Sequence, residues 1–216
     1  MELILIKPED LAKGSAYRFS DRIINGLRKE KELSVVGFGN AISLACMAVQ
    51  ISSSIANVSV SELSVDYIGS PKLAISGIFF ILDKESKINW DEKKANIENK
   101  MKLNFDRDGQ LVVVSKKLSP DEIMPLCLSK LAKSNLLKIT GAGVSINRAA
   151  SLALELTKGN IAKEPLGIKL ITLSTVPFKV EEETAFGTGI EIFLEKGAQT
   201  CYSEKHKQIL KMLEKQ

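Results

Sequence analysis

The sequence predicts a mixed α/β fold of the α+β type, built from two tandem copies of one βαβαββ unit. Three observations predict it. Short apolar runs typical of strands alternate with segments of helical periodicity, and this order recurs from Leu111 onward. A Gly-x-Gly turn with Ile and Ala at fixed positions after it occurs at Gly37 and again 104 residues later, at Gly141. The two closing strands share the pattern Gly-Ile-x-x-x-Leu-acid-Lys, which begins at Gly77 and at Gly189.

The first copy is assigned to residues 1–84. Asn40 is the expected N-cap of its second helix, which runs from Ala41 to about Ala56. The alternation of its long third strand slips near Glu62-Leu63, where we expect a β-bulge. Strands are expected over Leu3–Ile6, Leu33–Val36, Val58–Ile68 and Leu73–Leu82. The first helix is expected to carry Glu9 and Asp10 in its first turn and to have one face formed by Leu11, Ser15, Phe19, Ile23 and Leu27.

The charged segment 85–110 is interpreted as a linker, with a helix around Trp90 to Lys100 and an extra strand over Met101–Phe105 left open. The second copy is assigned to residues 111–197. Its first helix is expected to start at a capping box of Ser119 and Glu122, and Pro125 should kink this helix or move its start. The remaining elements are a helix from about Ser145 to Lys158 and strands over Leu111–Val114, Leu136–Thr140, Gly167–Val180 and Thr188–Glu195, with a turn over Glu181–Thr184.

Residues 198–216 are interpreted as a helical tail, because Ile209, Leu210 and Leu213 have amphipathic spacing. The only histidine of the chain, His206, lies in this charged tail. A single histidine in such a place weighs against zinc hydrolysis, Ser-His triads and histidine acid–base chemistry.

The composition is that of a soluble globular protein, with 44% hydrophobic residues, 26% charged residues and a formal net charge of +4. The N-terminus has the pattern of a strand, not of a signal peptide, and no apolar run approaches the roughly 20 residues of a membrane span. A cytoplasmic location without a membrane partner is therefore expected. Cys46, Cys127 and Cys201 are expected to be buried, reduced thiols. Glu181–Glu183 are expected to face water, and no metal, cofactor or enzymatic activity is predicted.

The repeated pattern resembles the Alba family of archaeal chromatin and RNA-binding proteins. Lys116 and Lys117 stand where that family has a lysine pair after its first strand. Gly39–Ala45 and Gly143–Ala149 stand where it has an Arg-Gly-Arg-Ala-Ile-Ser-Lys-Ala turn into its second helix. The resemblance implies two Alba-like units packed as an internal pseudo-dimer, and it implies DNA or RNA binding.

This sequence also departs from the family pattern. The arginines that flank the turn glycine are replaced by Phe38 and Asn40 in the first copy, and by Ala142 and Val144 in the second. The helix lysine becomes Leu44 in the first copy but is kept as Arg148 in the second, and the first copy has only Lys7 before Pro8 in place of a lysine pair. The arm of the second copy, which in the family reaches along DNA, has Glu181–Glu183 at its tip, and three carboxylates there would repel phosphates.

The candidate nucleic-acid-binding residues are Lys116, Lys117, Lys138, Arg148, Gly141, Gly143 and Lys7. Lys116 and Lys117 either neutralise phosphates beside the following helix start or are solvated surface lysines. The Gly-x-Gly turns either bind an anion or only provide tight strand-to-helix geometry, and a dinucleotide fingerprint is incomplete because Ile42 and Ile146 replace its third glycine. Phe38 would either stack on a base or form a hydrophobic plug between the copies.

Three functions remain open from the sequence. The first is a non-enzymatic, sequence-nonspecific DNA- or RNA-binding protein that makes its main contacts through the second copy. The second is a protein–protein scaffold that has kept the fold and lost the nucleic-acid surface, and further self-association or a protein partner also stays open. The third is a nucleotide-binding enzyme that uses the Gly-x-Gly turns. The sequence does not distinguish DNA from RNA, or single from double strands.

Overall fold

The computed structural model of the chain describes residues 2–12, 14–56, 58–69, 73–84, 109–115, 117–158, 164–180 and 183–214. The first repeat consists of β1 (Glu2–Ile6), α1 (Ala16–Lys29), β2 (Glu32–Phe38), α2 (Ile42–Ile55), β3 (Val58–Ile68) and β4 (Ile75–Lys84). The second consists of β5 (Gln110–Val114), α3 (Pro120–Leu131), β6 (Leu136–Ala142), α4 (Ser145–Lys158), β7 (Leu166–Val180) and β8 (Glu183–Lys196), and it is followed by α5 (Glu204–Leu213). The linker helix and the extra strand considered within residues 85–108 lie outside the described residues.

The two repeats have the same sheet topology. The strand order is β1-β2-β4-β3 in the first sheet and β5-β6-β8-β7 in the second. In each sheet the first two strands are parallel, with Ile6 opposite Gly37 and Val114 opposite Gly141. The second strand is antiparallel to the last strand of its repeat. The predicted α+β fold with two βαβαββ units is therefore confirmed, whereas the pseudo-dimer packing and the domain limits stay predictions.

The chain divides into two compact units whose limits differ from those of the repeats. Unit 1 contains Met1–Glu85, Thr175–Thr188 and Cys201–Gln216, and unit 2 contains Ser86–Ser174 and Gly189–Thr200. Within unit 1, the Gln50 side chain of α2 donates a hydrogen bond to Thr175 Oγ1 (2.8 Å) and accepts one from the Thr188 hydroxyl. Unit 1 is thus the first repeat completed by the outer part of the β7–β8 hairpin and by the C-terminal helix.

In unit 1, one face of the sheet packs against α1 and α2. The close approach of Gly37 on β2 to Ala45 on α2, and of Gly26 on α1 to the Leu33 side chain, brings these helices onto the strands. In unit 2, α3 and α4 cover the sheet in the same way, and Gly141 on β6 approaches Ala149 on α4. The buried residues between sheet and helices of unit 2 include Val112, Val114, Ile123, Cys127, Ile139, Ala153 and Ile192.

The predicted start of the first helix is wrong. Glu9 and Asp10 belong to a separate 3-10 helix, Pro8–Ala12, and the α-helix begins only after Ser15, whose Oγ accepts a hydrogen bond from the backbone of the third residue beyond it. Leu11 consequently leaves the apolar face of the helix and is 45% exposed. The apolar residues are spaced by four on both sides of Ser15, so their spacing alone does not show that the α-helix begins only after this capping residue.

The predicted N-cap Asn40 is also wrong, because Gly39–Ala41 form a short 3-10 helix and Ala41 occupies the cap position without a side-chain hydrogen bond. Several other local predictions are confirmed. The register of β3 shifts between Val60 and Glu62, at the predicted bulge. The capping box of α3 is present, and this helix continues through Pro125, so that its start is not moved. β8 begins at Glu183, so Glu183 and Thr184 belong to a strand and not to the predicted turn, whose first two residues, Glu181 and Glu182, lie outside the described residues.

Candidate nucleic-acid interface

The candidate interface in unit 2 lies where β5 and β6 end. Because the two strands are parallel and Val114 lies opposite Gly141, the loop into α3 and the turn into α4 leave the sheet side by side. The two segments are about two dozen residues apart in sequence, and the parallel pairing of β5 with β6 brings them together. Any phosphate bound at this edge can therefore be contacted from both helix starts.

Arg148 joins the two segments. Its Nη1 donates hydrogen bonds to the carbonyl oxygens of Ser115 (3.3 Å) and Leu118 (3.2 Å), although it belongs to the first turns of α4. Arg148 itself is exposed. A guanidinium has five donors in a fixed plane, so one that braces a loop through two carbonyls also presents positive charge beside that loop.

Lys117 lies in the loop that Arg148 braces. Its side chain is exposed, and its backbone N–H donates to Ser115 Oγ (3.3 Å). Lys116 lies outside the described residues. The structure brings Lys117 and Arg148 to the same loop.

The glycines of the second turn have two different structural roles. A Cβ on Gly141 would lie 2.6 Å from the Ser145 carbonyl oxygen and 3.0 Å from Ala149 Cβ, so this position has no room for a side chain. Gly143 has φ +54°, and a Cβ there would meet nothing within 4 Å. Gly37 and Gly39 repeat this arrangement in unit 1, with a contact of 2.5 Å to Ala45 Cβ and φ +56°. Strand-to-helix geometry thus accounts for the motif in both units, and the open backbone at Gly143 leaves space for a ligand.

The first turns of α3 and α4 differ in charge, and this difference affects how well each can bind a phosphate. The first turn of α4 has no acidic residue, whereas that of α3 carries Asp121 and Glu122. The backbone N–H and the hydroxyl of Ser119 both donate to the Glu122 carboxylate at 2.8 Å and hold the pKa of Glu122 below its usual value. Glu122 is therefore an anion near neutral pH, and the start of α4 is the more favourable of the two for a phosphate.

Lys138 lies on the face of the unit 2 sheet opposite to the one covered by α3 and α4. It alternates along β6 with Leu137 and Ile139, which are buried beneath the helices. Its Nζ lies 3.3 Å from Glu191 Oε1 and 5.6 Å from the centre of the Phe193 ring. The structure does not bring Lys138 together with Lys117 and Arg148.

The corresponding edge of unit 1 has fewer cations. Lys7 is exposed in the loop after β1, where its backbone N–H donates to Asp10 Oδ2 (2.8 Å). Leu44, at the place of Arg148, is 4% exposed and belongs to the core. Phe38 is partly buried against a cluster that includes Val36 and Ile209 of α5, and its predicted role as a plug between the copies stays a prediction.

The sequence reasoning missed a buried polar site in unit 1. His206 of α5 is 1% exposed, its Nδ1 lies 2.8 Å from Ser64 Oγ, and its Nε2 lies 3.2 Å from Asp66 Oδ2. Asp66 also accepts from the backbone N–H of Tyr67 at 2.8 Å. Burial, and then the neighbouring Asp66, raise the pKa of Tyr202, which stacks on the histidine. Two features of the sequence could have indicated this site. They are the apolar spacing of the tail and the alternation that places Ser64 and Asp66 on one face of β3.

This site has the residue types of a hydrolase triad, but the order of contacts differs. In such triads the serine bonds Nε2 of the histidine and the aspartate bonds Nδ1. Here Ser64 is bonded to Nδ1 and Asp66 to Nε2, and the ring is enclosed between Tyr202 and Phe79. A buried ring that links a helix to a sheet is an anchoring contact.

The cysteine prediction is confirmed for two of the three residues. Cys46 and Cys127 are buried free thiols, whereas Cys201 is exposed, which corrects the prediction for it. Burial raises the pKa of Cys127 to about 11 and also raises that of Cys46. Within the described ranges, no group of three or more His, Cys, Asp and Glu residues is placed to hold a metal ion. None of the helices in those ranges has both the length and the apolar character needed to span a bilayer.

No protein-family model and no curated protein matches the chain. Among solved structures, Alba from Thermoplasma volcanium is similar, with 21% sequence identity, coverage of 40% of this chain and 100% of that chain, and a TM-score of 0.35. ALBA1 from Trypanosoma brucei is similar with 19% identity, coverage of 49% of this chain and 90% of that chain, and a TM-score of 0.34. At these TM-scores the similarities add nothing to the fold, which the strand order of the two sheets defines.

Proposed function

We propose that this chain is a non-enzymatic, cytoplasmic protein that binds DNA or RNA without sequence specificity, through the phosphate backbone and mainly through the second repeat. The observation that carries the proposal is the bracing of the Lys117 loop by Arg148. It holds the Arg148 guanidinium against the loop that carries Lys117, and a Cβ on Gly143, at the start of α4, would meet nothing within 4 Å. Cations beside a helix start that lacks acidic residues are suited to phosphate oxygens.

Binding at this edge depends on local charge, because the formal net charge of the whole chain is only +4. Lys116, Lys117 and Arg148 supply the positive charge, and Asp121 and Glu122 in the first turn of α3 oppose it. Each phosphate neutralised releases counterions, and this release lowers the logarithm of the binding constant by about 0.9 per tenfold increase in salt. We therefore expect modest affinity that falls as salt increases.

The test is titration of labelled duplex DNA and labelled RNA at two salt concentrations with Lys116→Ala/Lys117→Ala. We expect affinity to fall by about tenfold or more and the salt slope to decrease by about two. The matched control is Lys138→Ala/Lys169→Ala, which removes the same charge from lysines paired with Glu191 and Glu195 on the same unit. Equal losses in both double variants, or none in the first, would show that this edge is not the binding site.

A protein–protein scaffold is the second candidate. It is favoured by unit 1, where Leu44 is buried at the place of Arg148 and Lys7 stands without a second lysine. A chain that binds neither DNA nor RNA at low salt, yet keeps one stoichiometric protein partner after nuclease treatment, would favour this function over the first.

A further inference from the structure

The C-terminal helix covers the face of the unit 1 sheet that α1 and α2 leave open. Ile209 is fully buried there together with Val36, Phe79 and Ile81. The partly buried residues around them come from both the sheet and the helix, and they are Leu3, Leu5, Phe38, Ile68, Leu210 and Leu213. The apolar side of α5 therefore fills an apolar surface that spans several strands.

The helix is also recognised through polar contacts. The ring nitrogens of His206 are bonded to Ser64 and Asp66, two residues of β3 that lie on one face of that strand. The hydroxyl of Tyr202 donates to the Val65 carbonyl oxygen at 3.0 Å, and Lys205 forms an ion pair with Glu32 on β2. Each of these contacts requires a particular residue type at a particular place in the tail.

Aromatic rings complete the fit around the histidine. The ring of Tyr202 stacks on that of His206, with 4.4 Å between centroids and 14° between planes. The ring of Phe79 on β4 meets the histidine ring edge-on, also with 4.4 Å between centroids. The imidazole is thus enclosed by one ring from the tail and one from the sheet.

The same face of unit 2 differs at two of the three sheet positions that α5 buries in unit 1. The cross-strand pair Val36–Phe79 of unit 1 corresponds to Thr140–Glu191 of unit 2, because both pairs lie next to the matching glycine–isoleucine pair of their sheets. The third position, Ile81, corresponds to Phe193, which is also apolar and buried. The face that α5 covers is therefore more apolar than the same face of unit 2.

From this juxtaposition of the tail with Ser64, Asp66, Val36 and Phe79 we infer that this face is a helix-docking site, and that residues 201–216 of a second copy occupy it when the chain's own helix is displaced. The sheet contacts each named residue of the tail pattern Tyr-x-x-Lys-His-x-x-Ile separately. The tail of a second copy of this chain has the same pattern and can therefore make all of these contacts. Exchange of an identical element between protomers is a low-cost route to a dimer.

The hinge for exchange is the short segment 201–203. The residues before it are held to the start of β7, because the Gly197 N–H donates to the Pro165 carbonyl oxygen (2.7 Å) and the Ile168 N–H donates to Thr200 Oγ1 (2.9 Å). Residues 197–203, between β8 and α5, form neither helix nor strand. Gly197 has φ +74°, and a Cβ there would meet nothing within 4 Å. Ser203 caps α5 by accepting from the His206 backbone N–H (3.1 Å), so the helix start is stabilised within the tail itself.

The experiment measures binding of a fluorescently labelled peptide of residues 201–216 to the full-length chain. In the host variant Ile209→Ser the chain's own helix is weakened while the sheet is unchanged. We expect this host to bind the peptide at least about tenfold more tightly than the wild-type chain, whose site is occupied. A peptide carrying His206→Ala should lose most of this affinity, because it cannot bond Ser64 and Asp66.

A second host variant controls for a folding defect caused by Ile209→Ser. A flexible Gly-Ser insertion between Thr200 and Cys201 lowers the effective concentration of the tail without changing any of its contacts. Absence of peptide binding in both hosts, with native circular dichroism, would overturn the docking site. Equal binding of the two peptides, or equal binding to wild type and variant hosts, would overturn it as well.

Exchange between copies has its own readout, the molar mass of the wild-type chain across a concentration series. We expect a dimer that grows with concentration and is absent in Ile209→Ser. A dimer that persists in Ile209→Ser, or a wild-type chain that stays monomeric throughout the series, would overturn exchange. None of these measurements depends on nucleic acid, so their failure is distinguishable from failure of the proposed function.

Discussion

His206 Nε2 lies 3.2 Å from Asp66 Oδ2, and both side chains are almost completely buried in unit 1. The two residues are far apart in sequence, one on the C-terminal helix and the other on β3. The contact therefore makes the last segment of the chain part of the structure of the first repeat. Removal of either partner takes one hydrogen bond away from the other, which stays buried.

His206→Ala is expected to destabilise the protein by about 1–3 kcal/mol, because it removes the buried hydrogen bonds of the ring to Ser64 and Asp66. The measurement is urea unfolding at neutral pH. Lys205→Ala is the control on the same helix, and since its ion pair with Glu32 is largely exposed it should cost no more than about 1 kcal/mol. A histidine variant as stable as this control would contradict an anchoring role.

Ser34→Ala is expected to stabilise the protein by about 1 kcal/mol. Ser34 is fully buried on β2, and its hydroxyl lacks a hydrogen-bond partner among the described residues. Ser52→Ala is the matched control, because Ser52 is equally buried but its hydroxyl bonds the Ala48 carbonyl (2.8 Å) and Ser20 Oγ (3.0 Å). Thermal unfolding should move in opposite directions for the two variants, and a loss of stability in both would refute the prediction.

The two glycines of the second turn should respond differently to substitution. Gly141→Ala forces a Cβ against the Ser145 carbonyl and Ala149, and we expect a loss of about 1–3 kcal/mol. Gly143→Ala meets no atoms, but its positive φ should cost about 1–2 kcal/mol. Gly143→Asn should be tolerated better than Gly143→Ala, since asparagine adopts this conformation more readily. Denaturant unfolding of the three variants tests this order. A Gly141→Ala variant with the same free energy of unfolding as the wild type would contradict the prediction.

The capping carboxylate of α3 gives a pH-dependent contribution. The pKa of Glu122 is lowered in the folded chain by hydrogen bonds from the Ser119 backbone and then from its hydroxyl. Its contribution to stability is therefore present above the unfolded-state pKa and is lost as pH falls through the folded-state pKa. We expect the stability difference between wild type and Glu122→Gln to be small, largest near neutral pH and absent in acid. Unfolding curves at several pH values provide the measurement, and a difference that grows in acid has the wrong sign.

The repeat and its topology could be predicted because they depend on local signals. Gly37 and Gly141 have no room for a side chain, and Gly39 and Gly143 need a positive φ, so the same short motif recurs at both turns. The capping box of α3 and the bulge of β3 are also local features. The start of α1 was missed because its apolar spacing continues across Ser15.

The candidate site was only partly predictable. Lys138 is near the Gly-x-Gly turn in sequence, which makes it a candidate, but its position between the apolar residues Leu137 and Ile139 indicates the opposite face of the strand. The contact of Arg148 with the loop depends on the parallel pairing of β5 with β6. The burial of His206 depends on pairing across most of the chain, which composition and periodicity do not encode.

The assignment of α5 to unit 1 has a consequence for biosynthesis. The first repeat is synthesised before the second, and the helix that covers Val36, Phe79 and Ile81 follows both repeats in the chain. Domains usually fold in order from the N-terminus as the nascent chain grows. In this protein the first repeat keeps an uncovered apolar surface while the second repeat is being synthesised, so during that interval the nascent chain exposes this surface to chaperones and to aggregation.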